Sequence, residues 1–187
     1  MNVIGILVLA GGEGSRFRGN KLLAKIKDVP VLGLVLNALP RERVIVAGKY
    51  APEIIAQFPD EIILYNPYWK NGISTSLKLG IRYFRDSEGV LVVLGDMPLI
   101  TKDTISKILN HFSPSCSAVV PVHEGEWGNP VLLSKKLFDQ VDNLTGDVGA
   151  KNILKKRSDL CFVECGEEVL IDVDTEADLI EVSRRLS

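Results

Sequence analysis

Two stretches leave this chain little freedom in how it can fold: Ile6-Leu7-Val8-Leu9 and Val90-Leu91-Val92-Val93-Leu94 are apolar at every position. A strand with one wet face alternates apolar and polar residues. A strand buried on both faces need not, and that is the condition of a parallel sheet covered by helices on each side. The first run extends from Val3 to Ala10 and the second from Gly89 to Leu94. Further strand-like segments lie at Arg43 to Ala47, Glu61 to Tyr65, Ala118 to Pro121, Leu160 to Val163 and Val169 to Asp172. Between them, helical spacing marks Val31 to Leu39, Pro52 to Phe58, Ser74 to Phe84, Thr101 to Phe112, Ser134 to Val141, Val148 to Lys156 and Thr175 to Leu186. The expected fold is α/β, a three-layer αβα sandwich around a doubly wound, mostly parallel sheet. No repeat, low-complexity tract or Pro/Gly/Ser linker divides the chain, so one domain over residues 1–187 is expected. Ligands of such sheets sit beyond the carboxyl ends of the strands.

Charge and composition narrow the function classes. Lys and Arg number 22 against 24 Asp and Glu, a formal charge of −2, and no long basic block stands ready for a phosphate backbone, which disfavours nucleic acid as a partner. No apolar run reaches the roughly 18 residues needed to cross a bilayer, so no membrane association is expected. The apolar start has no basic flank and runs directly into a glycine loop, which reads as a buried strand rather than a leader. Three cysteines, Cys116, Cys161 and Cys165, are an odd set in a chain large enough to be held by its core. They predict a reducing, cytoplasmic setting without a disulfide framework.

The first strand delivers the chain into Leu9-Ala10-Gly11-Gly12-Glu13-Gly14-Ser15-Arg16-Phe17-Arg18-Gly19-Asn20-Lys21. Glycines let backbone N–H groups approach a phosphate, and Arg16 and Lys21 add positive charge for a polyphosphate. The dinucleotide fingerprint fails here because Phe17 stands at its third glycine, and the second strand ends in Ala47-Gly48-Lys49 without a ribose-binding acid. A P-loop fails because Asn20 separates Gly19 from Lys21 and Leu22 replaces the magnesium-binding hydroxyl.

Leu94-Gly95-Asp96-Met97-Pro98 ends the second fully apolar strand. A carboxylate at the end of a buried strand is costly unless paired, so Asp96 calls for a cation, and magnesium held by one or two carboxylates and substrate phosphates is the usual arrangement. Asp172 and Asp174, two residues apart, would share one face of a strand, and one of them, Asp172 by a narrow preference, is expected to complete that site. Thr175 reads as a helix N-cap with acids in the first turn.

These motifs resemble the MobA-like NTP transferases, the group of molybdopterin cytidylyl- and guanylyltransferases. The resemblance rests on Leu-Ala-Gly-Gly-x-Gly-Ser-Arg followed by Lys21, on Gly95-Asp96-Met97-Pro98, and on Asp172-Val173-Asp174-Thr175-Glu176-Ala177-Asp178-Leu179. It rests equally on Asn66 to Leu77, Gly128-Asn129-Pro130-Val131 and Gly146-Asp147-Val148-Gly149-Ala150-Lys151, so that it spans the chain from Leu9 to Leu179. It implies a nucleotide-diphospho-sugar transferase-like fold and transfer of a nucleotidyl group from a nucleoside triphosphate to a small phosphorylated acceptor, a molybdopterin, with release of pyrophosphate. A molybdoenzyme or its chaperone would receive the product. It assigns Arg16, Lys21 and Asp96 to catalysis, and Asp96, Asp172 and Asp174 to magnesium. Leu9, Ala10, Gly11, Gly12, Gly14, Ser15, Asn66, Gly72, Ser74 and Ser76 fall to the nucleotide, and Asn129, Pro130, Gly146, Asp147 and Lys151 to the acceptor. Gly11 matches the guanylyltransferases, while the downstream motifs match the cytidylyltransferases, and CTP is expected over GTP. Arg18 and the displaced Gly19 depart from the family pattern and keep a second reading open, a non-catalytic nucleotide- or cofactor-binding module. An acceptor that is a sugar or polyol phosphate is a further alternative.

Overall fold

The computed structural model describes residues 3–187. The main sheet is built on β1 (Ile4–Ala10), β4 (Val44–Ala47), β5 (Ile62–Tyr65), β6 (Gly89–Leu94), β7 (Ala118–His123), β9 (Val131–Ser134) and β10 (Leu160–Glu164), in the order β10-β7-β9-β6-β1-β4-β5. A short β8 (Glu126–Trp127) pairs with β7, and β2 (Lys25–Ile26) with β3 (Val29–Pro30) forms a separate two-stranded ribbon. The pairs β1–β4, β1–β6, β4–β5 and β7–β10 are parallel, and β9 runs antiparallel between β6 and β7.

The alternation of β1 explains its unbroken hydrophobicity. Ile6, Val8 and Ala10 join a core with Leu32, Val35 and Leu36 of α1 (Val31–Asn37), Ile54 of α2 (Ala51–Gln57), and Ile105 and Ile108 of α4 (Lys102–Asn110). Leu7 and Leu9 face the opposite layer, packing with Leu77 and Ile81 of α3 (Ile73–Tyr83), Phe138 and Val141 of α5 (Phe138–Val141), and Leu154 of α6 (Lys151–Leu154). Both faces of one strand are thus sealed, the condition for a doubly wound sheet. α7 (Glu176–Arg185) closes a third cluster, in which Val182 and Val173 meet Ile26 and Val31.

Four expectations change. No strand forms from Val169 to Asp172. A 3-10 turn, Glu167–Val169, is followed by irregular chain that is pinned when Val173 N–H donates to the Asp96 carbonyl at 2.8 Å. The helix expected from Ser134 splits, because Ser134 ends β9 and caps a 3-10 turn, Lys135–Leu137, before α5 begins. The helix expected from Val148 to Lys156 contracts to α6. The cysteines also correct the sequence reading. β10 lies beside β7 with Leu160 opposite Ala118, which brings Cys161 within a Cα–Cα distance of 5.6 Å of Cys116, and the two form a disulfide, leaving buried Cys165 free. Strand register, invisible in an odd cysteine count, sets that pairing, and the cysteine-based case for a reducing environment falls with it.

Candidate active site

The glycine loop follows β1 over the carboxyl edge of the sheet. Gly14 takes a left-handed conformation (φ 62°) and its carbonyl accepts Phe17 N–H at 2.9 Å, while Gly19 (φ 88°) makes a second reversal held by the Tyr50 hydroxyl at 3.2 Å. L-residues with side chains rarely adopt such angles, which is why glycine stands at both turns. Asn20 Oδ1 then accepts Leu22 N–H at 3.1 Å, and the chain turns Lys21 inward. Arg18 is exposed and stands outside the cleft, so the displaced Gly19 is absorbed by a turn while Lys21 keeps its place.

Lys21 and the acids form one network. Lys21 Nζ donates to Asp96 Oδ2 and Asp174 Oδ1, both at 2.8 Å, and Arg16 donates to Asp174 Oδ2 at 2.9 Å. Burial pulls the Lys21 pKa down, but the Asp96 charge and the hydrogen bonds to Asp174 and Asp96 outweigh it, so the ammonium is held above its ordinary value. Burial, with the neighbouring charges of Asp96 and Asp174, pushes Asp172 up. The carboxylates of Asp96, Asp172 and Asp174 each offer an oxygen within 4.8 Å of the others. Asp172 and Asp174 flank buried Val173, so the period-two spacing brings them together without a strand. Asp174 is anchored from behind: Asp178 Oδ2 accepts the backbone N–H of Asp174 (3.0 Å) and Thr175 (2.8 Å), and Thr175 Oγ1 accepts Asp178 N–H, a capping box at the start of α7.

These residues fit a hard divalent cation. Carboxylate oxygens are its preferred donors, and the buried Asp96 Oδ1 has no hydrogen-bond partner among the described residues, a costly state that a cation would relieve.

Two cavities meet at the acids. The larger, about 630 Å³, is bordered by Leu9 to Arg16, Lys21, Asp96 and Asp174 on one side and by Trp69, Gly72, Ser76, Gly146 and Asp147 on the other. The smaller, about 180 Å³, is bordered by Asn129, Lys151, Trp127, Met97, Glu126 and Asp172. Leu94, at the end of β6, borders both. Lys151 Nζ donates to the Trp127 carbonyl at 2.9 Å, and burial holds its pKa below the ordinary lysine value.

Other expected site residues are placed differently. Asn66, 2% exposed, lies behind the cleft wall, donating from Nδ2 to Thr75 Oγ1 (2.8 Å) and Ser76 Oγ (2.9 Å). Ser74 is fully buried and donates to the Gly146 carbonyl at 2.7 Å. Pro130 is buried and borders neither cavity, so these three hold the walls rather than face a ligand. Gly146 and Asp147 border the larger cavity, away from Asn129 and Lys151. Gly72 has φ 100°, and a Cβ there would overlap the Gly146 backbone, so the approach of the two loops requires glycine. Among residues the sequence left without a role, Tyr50 and Asn20 border the larger cavity, and Met97 and Glu126 the smaller. Tyr50 could have been found, since it follows the carboxyl end of β4, where ligands of such sheets lie.

The molybdenum cofactor cytidylyltransferase of Escherichia coli K12 is 25% identical over 191 residues, covering 99% of this chain and 98% of its own length. A probable molybdenum cofactor guanylyltransferase of Thermococcus kodakarensis is 30% identical over 92% of this chain and 90% of its own. The crystal structure of Rv0371c from Mycobacterium tuberculosis H37Rv shares the fold at a TM-score of 0.84 and 22% identity, covering 98% of this chain and 99% of that one, and its manganese complex matches at 0.79. The profile of the MobA-like NTP transferase domain matches residues 6–160. This chain, with its glycine loop, its partly buried Asp96 and its two adjoining cavities, belongs to the MobA-like NTP transferase family.

Proposed function

We propose that the chain transfers a nucleotidyl group from a nucleoside triphosphate, CTP in preference to GTP, to the phosphate of molybdopterin or molybdenum cofactor, releasing pyrophosphate. One observation carries the reading: Asp96, Asp172 and Asp174 converge where the larger and smaller cavities meet, so one cluster of acids borders both candidate substrate sites. The larger cavity, with its glycine amides, Arg16 and Lys21, suits a triphosphate. The smaller, with Lys151, Asn129 and Trp127, suits a phosphorylated heterocycle.

In the proposed reaction an acceptor phosphate oxygen attacks the α-phosphorus, and the bond from that phosphorus to the oxygen bridging to the β-phosphate breaks. The attacking oxygen is already ionised, so the chain needs no general base, and its contribution is positioning and electrostatics. The amides of Gly11 to Gly14 and the Arg16 and Lys21 cations face the charge that builds on the leaving pyrophosphate. Lys151 and Asn129 orient the acceptor. Bound by Asp96, Asp172 and Asp174, magnesium would neutralise phosphate charge between the two substrates, and the manganese complex of Rv0371c supports a divalent ion in this fold.

Gly11 bears on the base. A Cβ at this position would lie 2.5 Å from Ser76 Oγ, so Gly11→Ala has to displace that hydroxyl at the cavity wall. The test is a panel of the four nucleoside triphosphates with magnesium, scored for pyrophosphate with molybdopterin and with sugar or polyol phosphates. Release dependent on molybdopterin and greatest with CTP is expected; tight nucleotide binding without pyrophosphate under any acceptor would turn the reading to a binding module.

A further inference from the structure

Lys21 does more than point at a phosphate. Its side chain is 14% exposed, and its ammonium is shared between Asp96 Oδ2 and Asp174 Oδ1. Those two oxygens belong to the acids that fit a divalent ion, and Asp96 Oδ1, on the same carboxylate, has no partner among the described residues. The charges sharpen the conflict. Three carboxylates face Lys21 and Arg16, and Arg16 is 72% exposed, so among the described residues Lys21 is the only well-buried positive charge in the network. An ammonium and a dication at the same carboxylate oxygens repel at short range in a partly desolvated place, where screening is weak. The lysine stem runs beside the glycine loop, with Cγ and Cδ 3.6 Å from where a Cβ of Gly14 would sit, and Lys21 borders the same cavity as Gly11 and Gly12.

We propose that Lys21 is an exchangeable counter-ion. It neutralises Asp96 and Asp174 until a divalent ion takes their oxygens, and the ammonium is then released to the glycine-lined cavity, where it meets the phosphates of the nucleotide. Cation entry and the arming of the loop for polyphosphate thereby become one event. The inference rests on the metal-assisted reading of the acids above and goes beyond it, because it assigns Lys21 two successive anionic partners and makes the ion the trigger.

The test is Mn2+ binding by the intact chain without nucleotide, followed through the free-ion paramagnetic resonance signal, for wild type, Lys21→Met and Lys21→Arg. Losing the competing charge should tighten Mn2+ binding about tenfold in Lys21→Met, and Lys21→Arg should stay near wild type. Equal or weaker binding by Lys21→Met overturns the exchange while leaving the metal site standing. No Mn2+ binding by any of the three proteins overturns both the exchange and the metal-assisted reading. The wild-type chain supplies an independent readout should the variants fold poorly: the acetylation rate of Lys21 by acetic anhydride, located by mass spectrometry. Addition of Mg2+ should raise that rate several-fold relative to the remaining lysines, and an unchanged or lowered rate contradicts the proposal.

Discussion

The two cavities are built in opposite ways. One side of the larger comes from a single continuous loop, Leu9 to Lys21, laid over the parallel half of the sheet, β6-β1-β4-β5. The smaller lies at the half interrupted by antiparallel β9, and its wall is assembled from separate segments tied by backbone hydrogen bonds from Gly128 N–H to the Pro121 carbonyl (2.8 Å) and Asn129 N–H to the Val169 carbonyl (2.9 Å), and by the Lys151 side chain to the Trp127 carbonyl. A continuous loop fixes its own geometry through turn residues, whereas an assembled pocket depends on the packing of everything around it. On the proposed assignment, the first arrangement would hold the nucleotide chemistry and the second would leave room for acceptors to differ.

If that contrast is sound, the largest effects fall in the continuous loop and the acids it meets. Lys21→Ala should cut pyrophosphate release by about a hundredfold to a thousandfold, the scale of removing one preorganised electrostatic group, with the circular dichroism spectrum and thermal midpoint little changed. Near-normal turnover would detach the loop from the chemistry. Lys151→Ala comes next: a rise of roughly tenfold to a hundredfold in the acceptor KM, the range of a lost charge-assisted contact, with the nucleotide KM unaltered. Equal shifts in both would merge the two sites into one.

A smaller effect is expected behind the acids. Asp178→Ala removes the capping box, so about 1 kcal/mol of stability should be lost in urea unfolding. Because Asp178 also fixes the backbone of Asp174, Mn2+ affinity should fall with it, and Asp178→Glu should recover part of both. A loss of stability with unchanged Mn2+ affinity would make the cap purely structural. The smallest effect lies far from both cavities. Asp159 is held below the ordinary carboxylate range by hydrogen bonds from Arg157 and Ser117. With its native value depressed, the unfolded chain binds the proton first as pH falls. The stabilisation is therefore complete above the ordinary aspartate pKa of about 3.9 and disappears as pH drops through the native value. Asp159→Asn should flatten the decline in thermal midpoint below about pH 4; an unchanged slope would assign acid sensitivity elsewhere.

The contrast also governs what the sequence could reveal. β1 and β6 were legible because every residue between two helix layers must be apolar, and the glycine loop because its turn glycines and cations stand in neighbouring residues. β9 was not. Val131-Leu132-Leu133-Ser134 is a four-residue strand directly after Asn129-Pro130, and its antiparallel insertion is decided by β6 and β7 on either side. The convergence of Asp172 with Asp174 was legible from their spacing, but the hydrogen bond from Val173 to Asp96 that places them was not, since it joins residues far apart in the chain. The same applies to Gly146, whose approach to Gly72 carried it to the larger cavity, and to the Cys116–Cys161 bridge.

The central claim, that a cluster of acids spanning the two cavities holds a divalent ion needed for nucleotidyl transfer, is tested most directly by Asp96→Asn, measured for Mn2+ binding and pyrophosphate release on one preparation. Loss of both in a chain that keeps the wild-type circular dichroism spectrum is the predicted result. A variant that binds Mn2+ as wild type does and releases pyrophosphate at a normal rate would contradict it.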